Sequence, residues 1–159
     1  FKRGVEVGVH KGWFSKQLLE QWSGELFMVD VWAHLDEVEY QDMSNSDRPD
    51  DVIAEALRNV QEFGDRAKLM RMSSRQAASM FEDGSLDFVY IDANHRYAAV
   101  CEDIDIWWPK VRAGGVLCGH DYLPVSIYDS SKADEILLYG PDGTPMGLFG
   151  VNGLVDDGL

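Results

Sequence analysis

The chain is poor in cysteine, in basic residues and in long apolar runs, and each shortage excludes something. Its two cysteines, Cys101 and Cys118, form no CxxC pair and no secreted-type framework. Both sit in apolar sequence and read as reduced core thiols. Lysine and arginine total 14 against 28 acids, a formal net charge of −14. Such a surface repels a phosphate backbone and an anionic bilayer, so neither nucleic acid nor membrane is an expected partner. No apolar run approaches the roughly 18 residues that a membrane helix needs. No signal-peptide pattern is visible, and the expected location is the cytoplasm. The chain opens at Phe1 without a methionine and enters a strand almost at once. That is expected of an excerpt from a longer protein, whose N-terminal segment would carry any targeting information.

What is present is globular. Hydrophobic residues make up 45% and charged residues 26% of the 159 positions, enough for one domain, 1–159, with a core that needs no staples. Short β-like runs alternate with helical ones. Strands are expected at 4–9, 25–32, 67–72, 86–92 and 116–122, and helices at 13–22, 51–63, 73–81 and 98–111. In the first helix Phe14, Leu18, Leu19 and Trp22 share one face. Residues 33–51 are polar and acidic and read as a lid-like loop with a turn at "NSDRPDD". "AGG" (113–115) turns the chain into the fifth strand, and 135–149 reads as a hairpin. The alternation implies an α/β, Rossmann-like, doubly wound and mostly parallel sheet. Ligands of such sheets bind beyond the carboxyl ends of the strands, where the strand order switches. The informative positions are therefore Gly8 to Gly12, Asp30 to Trp32, Met72 to Ser74, Asp92 to His95 and His120 to Tyr122.

The first of these is a strand, a glycine turn and a helix start: Glu6-Val7-Gly8-Val9-His10-Lys11-Gly12. Gly8 admits a sharp turn and a close ligand, and Gly12 permits tight packing of the helix. Alone this is a weak signal, since many α/β proteins use such a turn only for packing. The second strand sharpens it. Asp30 follows the glycines by roughly 20 residues, the spacing of a carboxylate that accepts ribose hydroxyls; the other reading is a turn cap. The pattern is E-x-G-x-x-x-G, not the G-x-G-x-x-G that admits a pyrophosphate. Glu6 is badly placed beside a phosphate and well placed beside a cation. S-adenosylmethionine, with a sulfonium, an amino group and no phosphate, fits better than a dinucleotide.

The E-x-G-x-x-x-G turn, the acid of "MVDVW" and the stretch "LDFVYIDANHRYAAVCEDIDIWWPKVRAGGVLCGHDY" resemble class I S-adenosylmethionine-dependent methyltransferases, closest to the small-molecule family called methyltransferase 24. The resemblance spans about residues 4 to 122. It implies a seven-stranded sheet of order 3-2-1-4-5-7-6, and this chain ends before strands 6 and 7 are recognisable. It further implies that Glu6, Gly8, Val9 and Gly12 surround the methionine part and that Asp30 holds the ribose. Val31 or Trp32 would flank the adenine, and Ser73 and Ser74 would lie at its edge. Trp32 reads equally as core, and the serines equally as helix caps.

Asp92 and His95 follow strand four, below the expected sulfonium position. A histidine there suits removal of a proton from an acceptor hydroxyl. Asp92 would orient it, stabilise positive charge or, as cofactor contact, face the sulfonium. In catechol-type methyltransferases, acids at the ends of strands four and five hold a divalent cation. By that resemblance Asp92, His120 and Asp121 would bind Mg or Mn; the other reading is that His120 and Asp121 bond a substrate or stabilise their loop. His10 and Lys11 read as solvent-facing beside the cofactor, and His34 as a lid residue. At least one of Trp107 and Trp108 reads as core. Glu102, Asp103 and Asp105 read as a solvated helix face.

The leading expectation is an enzyme that methylates a small-molecule acceptor, most simply at oxygen. The alternatives are a truncated, non-catalytic S-adenosylmethionine-binding module and an NAD-dependent dehydrogenase, the latter disfavoured by the glycine spacing and Glu6. An open sheet edge would permit a homo-oligomer.

Overall fold

The computed structural model describes residues 1–34, 48–95 and 97–120. Within them five strands form one parallel sheet: β1 (Arg3–Val7), β2 (Glu25–Asp30), β3 (Ala67–Arg71), β4 (Leu86–Ile91) and β5 (Val111–Gly119), in the order β3-β2-β1-β4-β5. The order reverses between β1, the central strand, and its neighbour β4. The helices are α1 (Trp13–Gln21), α2 (Pro49–Val60), α3 (Ser74–Ala78) and α4 (Tyr97–Trp107), with tight 3-10 turns at Gln61–Arg66 and Trp108–Lys110. The α/β expectation holds, and the strand order agrees with the first five strands of the expected seven. The hairpin at 135–149 and most of the 33–51 loop lie outside the described residues. No helix of the described residues is long and apolar enough to cross a membrane.

The sheet separates two apolar clusters. On one face Leu19, Val52, Ala56 and Val60 from α1 and α2 pack against Leu26 and Met28. On the other Ala77, Ala78 and Trp107 from α3 and α4 pack against Val5, Val29 and Val89. Alternating strand side chains feed the two faces, which is why β1 is buried on both sides from Gly4 to Val7. Trp107 is fully buried, whereas Trp108 is exposed. Cys101 and Cys118 are free thiols, each half-buried, and burial pushes the Cys118 thiol up. Asp87 ties the sheet together at the other end: its carboxylate accepts the Lys2 and Arg3 N–H groups at 2.5 and 2.8 Å and the Arg112 guanidinium at 2.7 Å. Those backbone donors hold its carboxyl well below the usual range.

Several boundaries differ from expectation. β1 stops at Val7, because Gly8 takes φ +89° and leaves the strand. α2 opens at Pro49, so the end of the acidic "turn" is a helix start with proline in its first turn and Asp50 and Asp51 facing its positive end. β5 begins at Val111, not 116: the ladder jumps from Leu86–Val111 to Phe88–Val116, and "AGG" is absorbed as a bulge.

The registers Val7–Val29 and Val7–Ile91 bring the strand tips level, so Gly8, Asp30 and Asp92 emerge side by side. The Gly8 N–H reaches the Val29 carbonyl at 2.9 Å, and the Asp92 N–H reaches the Val7 carbonyl at 2.7 Å. A Cβ on Gly8 would lie 2.0 Å from the Asp92 carbonyl oxygen. Gly8→Ala should therefore cost about 3 kcal/mol or more and lower the thermal midpoint by roughly 6–12 °C, read by a circular-dichroism melt.

Candidate functional site

The aligned strand tips floor a cavity of about 870 Å³, a volume typical of small-molecule sites. Its walls come from the turn after β1, the end of β2, the start of α2, the β3–α3 junction and the segment after β4. Every site residue expected from the sequence and lying among the described residues, except Gly12 and His120, lines it: Glu6, Gly8, Val9, Asp30, Val31, Trp32, Ser73, Ser74, Asp92 and His95. Gly12 instead starts α1 at φ +72°, packed against Ala56.

Asp30 organises the turn. Its Oδ2 accepts the Val9 and His10 N–H groups, each at 2.9 Å, and its Oδ1 accepts the Trp32 N–H at 2.8 Å. His10 and Trp32 hold positive φ, 50° and 38°, conformations that side-chain-bearing residues keep only when something compensates. Trp32 is 3% exposed within the α1–α2 cluster, and its indole N–H donates to the His10 carbonyl at 2.9 Å. The core reading of Trp32 is thus correct, and its ring is fixed as part of the cavity wall. Phe14, expected in the apolar stripe of α1, is instead 38% exposed. It lines the cavity and stacks on Tyr90, with ring centroids 4.3 Å apart.

Glu6 is 2% exposed and accepts the Ser15 hydroxyl at 2.5 Å. Burial raises its carboxyl from 4.5 to about 8, and the charges of Asp92 and Asp30 push the same way against the Ser15 bond. Ser73 caps α3 through a capping box with Gln76. Ser74 donates to Asp103 Oδ1 and accepts the Trp107 indole N–H at 2.8 Å. Asp103 is therefore no member of a solvated face. It is 6% exposed, on the inner stripe of α4 with Val100 and Trp107, and burial raises its carboxyl. The legible signal was its spacing, three residues after Val100 and four before Trp107. Glu102 does stay near the surface, paired with Arg75 at 2.8 Å.

After β4, His95 Nε2 lies 3.4 Å from Asp92 Oδ1, and His120 Nδ1, at the end of β5, lies 3.9 Å from the same oxygen. Two imidazoles thus surround one carboxylate. Asp121 lies outside the described residues. Among the described residues no three His, Cys, Asp or Glu side chains converge to hold a metal ion, so Asp92 and His120 do not by themselves fit Mg or Mn.

With this geometry in view, the family model described as a methyltransferase domain (methyltransferase 24) matches residues 5–122. The chain belongs to that family. No curated protein matches the chain. Solved structures share its fold. A Corynebacterium glutamicum protein aligns with TM-score 0.57 at 16% identity, over 80% of this chain and 53% of its own. The 1,6-didemethyltoxoflavin-N1-methyltransferase of Burkholderia thailandensis, solved with 1,6-didemethyltoxoflavin and S-adenosylhomocysteine, aligns at 0.52 and 14% identity, over 76% and 44%. Phosphoethanolamine N-methyltransferase 2 of Haemonchus contortus, in complex with S-adenosyl-L-methionine, aligns at 0.56 and 17% identity, over 89% and 30%. The chain spans about half or less of these proteins' lengths.

The buried Glu6 carboxyl makes a pH prediction. The unfolded chain loses this proton near 4.5 and the folded protein near about 8. Folding retains the proton between those values, so the contribution of Glu6 to stability falls as pH rises through that window. Glu6→Gln should abolish that part of the decline, and its advantage over the natural protein should be largest at the alkaline end, measured by thermal melts across the window.

Proposed function

We propose that this domain binds S-adenosylmethionine in the cavity above β1, β2 and β4 and transfers its methyl group to a small acceptor, at oxygen. The observation that carries the reading is the levelling of Gly8, Asp30 and Asp92 at the reversal of strand order, beneath one continuous cavity. The residues fit this cofactor. The acids Asp30, Asp92, Glu102 and Asp103 line the cavity against the cations Lys11 and Arg75, a lining that suits a sulfonium and an ammonium better than phosphates, and Glu6 joins them as a carboxyl that burial holds protonated up to about 8. The cofactor would supply an electrophilic methyl group.

The chain's own residues would do the rest. Asp30 keeps lone-pair capacity after its three backbone bonds, since two carboxylate oxygens offer about four acceptor sites, and would accept ribose hydroxyls. The turn from Gly8 to Gly12 presents main chain to the methionine part. Val31 and Trp32 wall the adenine, with Ser73 and Ser74 opposite. His95, steadied by Asp92, would take the proton from the acceptor hydroxyl as its oxygen attacks, and Asp92 would stabilise the imidazolium that results. The net charge of −14 favours a neutral or cationic small acceptor over a nucleic acid.

Calorimetry tests the binding half: S-adenosylhomocysteine should bind, and Asp30→Ala should weaken it by at least about 10-fold. Unchanged affinity in that variant would refute the ribose assignment. For the chemical half, His95→Ala should lower turnover by about 100- to 10,000-fold while leaving cofactor affinity intact. A variant that turns over normally would remove His95 as the base.

A further inference from the structure

We infer that the methyl acceptor is an uncharged, hydroxylated aromatic ring, held against Phe14 and Trp13 with its hydroxyl toward His95. The inference rests on the cofactor reading above and names the class of molecule that would share the cavity.

Two aromatic side chains open α1, and neither is spent in the core. Trp13 is 56% exposed and Phe14 38%, and both line the cavity. The other exposed hydrophobics Leu57, Met80 and Trp108 do not line it. Isolated surface hydrophobics need no occupant. A consecutive pair lining a cavity offers apolar area that a guest can cover. One face of the Phe14 ring is already taken, stacked on Tyr90 with centroids 4.3 Å and planes 21° apart. That contact stiffens the platform, and a second flat ring stacks on a stiff platform at little entropic cost.

Position selects the guest. Tyr90 pairs with Glu6 on β1 and Cys118 on β5, and Glu6 bonds Ser15 of α1, so all three belong to the α1 face of the sheet. Two residues further along the chain, Asp92 follows Tyr90 and His120 follows Cys118, and these two side chains meet. A two-residue step is about 7 Å along a strand, a reach that one ring and its hydroxyl bridge. In the reaction proposed above the acceptor oxygen lies beside His95, so its carbon skeleton extends over the Phe14–Tyr90 stack. The acceptor oxygen bonds to the methyl carbon, the carbon–sulfur bond breaks with its electron pair left on sulfur, and the hydroxyl proton passes to His95. A phenolic hydroxyl ionises near about 10, whereas an aliphatic one stays close to water at about 15.7, so the aromatic acceptor asks far less of the base. Asp92 beside the hydroxyl disfavours an aromatic carboxylate or phosphate.

Calorimetry on the natural protein saturated with S-adenosylhomocysteine compares 2-naphthol with decahydro-2-naphthol, which keeps the skeleton and the hydroxyl but loses the flat ring. The aromatic probe should bind at least about 10-fold more tightly. Trp13→Ala should weaken it by about 10-fold, leave the saturated probe little changed and leave S-adenosylhomocysteine affinity intact. Trp108→Ala, equally exposed at 56% but away from the cavity, should change none of the three. Supplied with S-adenosylmethionine instead, the natural protein should form the methyl ether of 2-naphthol, and Trp13→Ala should raise KM for 2-naphthol by about 10-fold with kcat little changed. Equal affinity for the two probes, equal losses in the Trp13 and Trp108 variants, or binding without ether formation overturns the inference while S-adenosylhomocysteine binding keeps the cofactor reading in place. Absence of S-adenosylhomocysteine binding to the natural protein removes both.

Discussion

The cavity depends on one carboxylate meeting three main-chain donors. Asp30 gathers the N–H groups of Val9, His10 and Trp32, and two of those residues sit at positive φ. Without that acceptor the turn after β1 would leave donors unmet near a partly buried surface. The wall carrying Trp32 would keep its indole bond to the His10 carbonyl but lose the carboxylate that spans both. Asp30 is thus a brace for the turn. Its charge also falls on Glu6 below, adding to the burial that keeps the Glu6 proton in place. Several acids share the site because one of them stays neutral over much of the pH range, which limits their mutual repulsion.

Polarity is graded across the cavity. At the β2–β3 end, acceptors are fixed by backbone donors or by hydroxyl and indole groups rooted in the core. At the β4–β5 end, two imidazoles face one carboxylate oxygen at longer separations, and Phe14 and Trp13 stand partly exposed at the rim. Rigid acceptors suit recognition of an invariant molecule, and a looser, titratable group suits proton movement. The division supports a nucleoside at one end and chemistry at the other.

The alternation of elements was legible because each strand is a short apolar run closed by glycine, acid or serine, and the order of the sheet followed from chain connectivity. Ends of elements were less legible. Gly8 reads as strand until its backbone angle is known, and Ala113–Gly115 reads as a turn until β4 is alongside to absorb it. The strand-tip positions that line the cavity were legible for the same reason the fold was. Asp103 was not, because "EDIDIWW" looks like a wet face by composition. Only the packing of α4 against α3 shows that one of its acids points inward, toward Ser74. Phe14 shows the reverse error: helical spacing placed it in the core, but the sheet beneath offers Tyr90 as a partner near the rim.

Asp92 has its main chain in one task and its side chain in another. Its N–H extends the β1–β4 ladder and its carbonyl abuts Gly8, while its carboxylate stands between His95 and His120. The gap between these two strands therefore cannot widen without dragging the histidines along. Motion of the surrounding walls can then widen the cavity's entrance while Asp92, His95 and His120 keep their spacing.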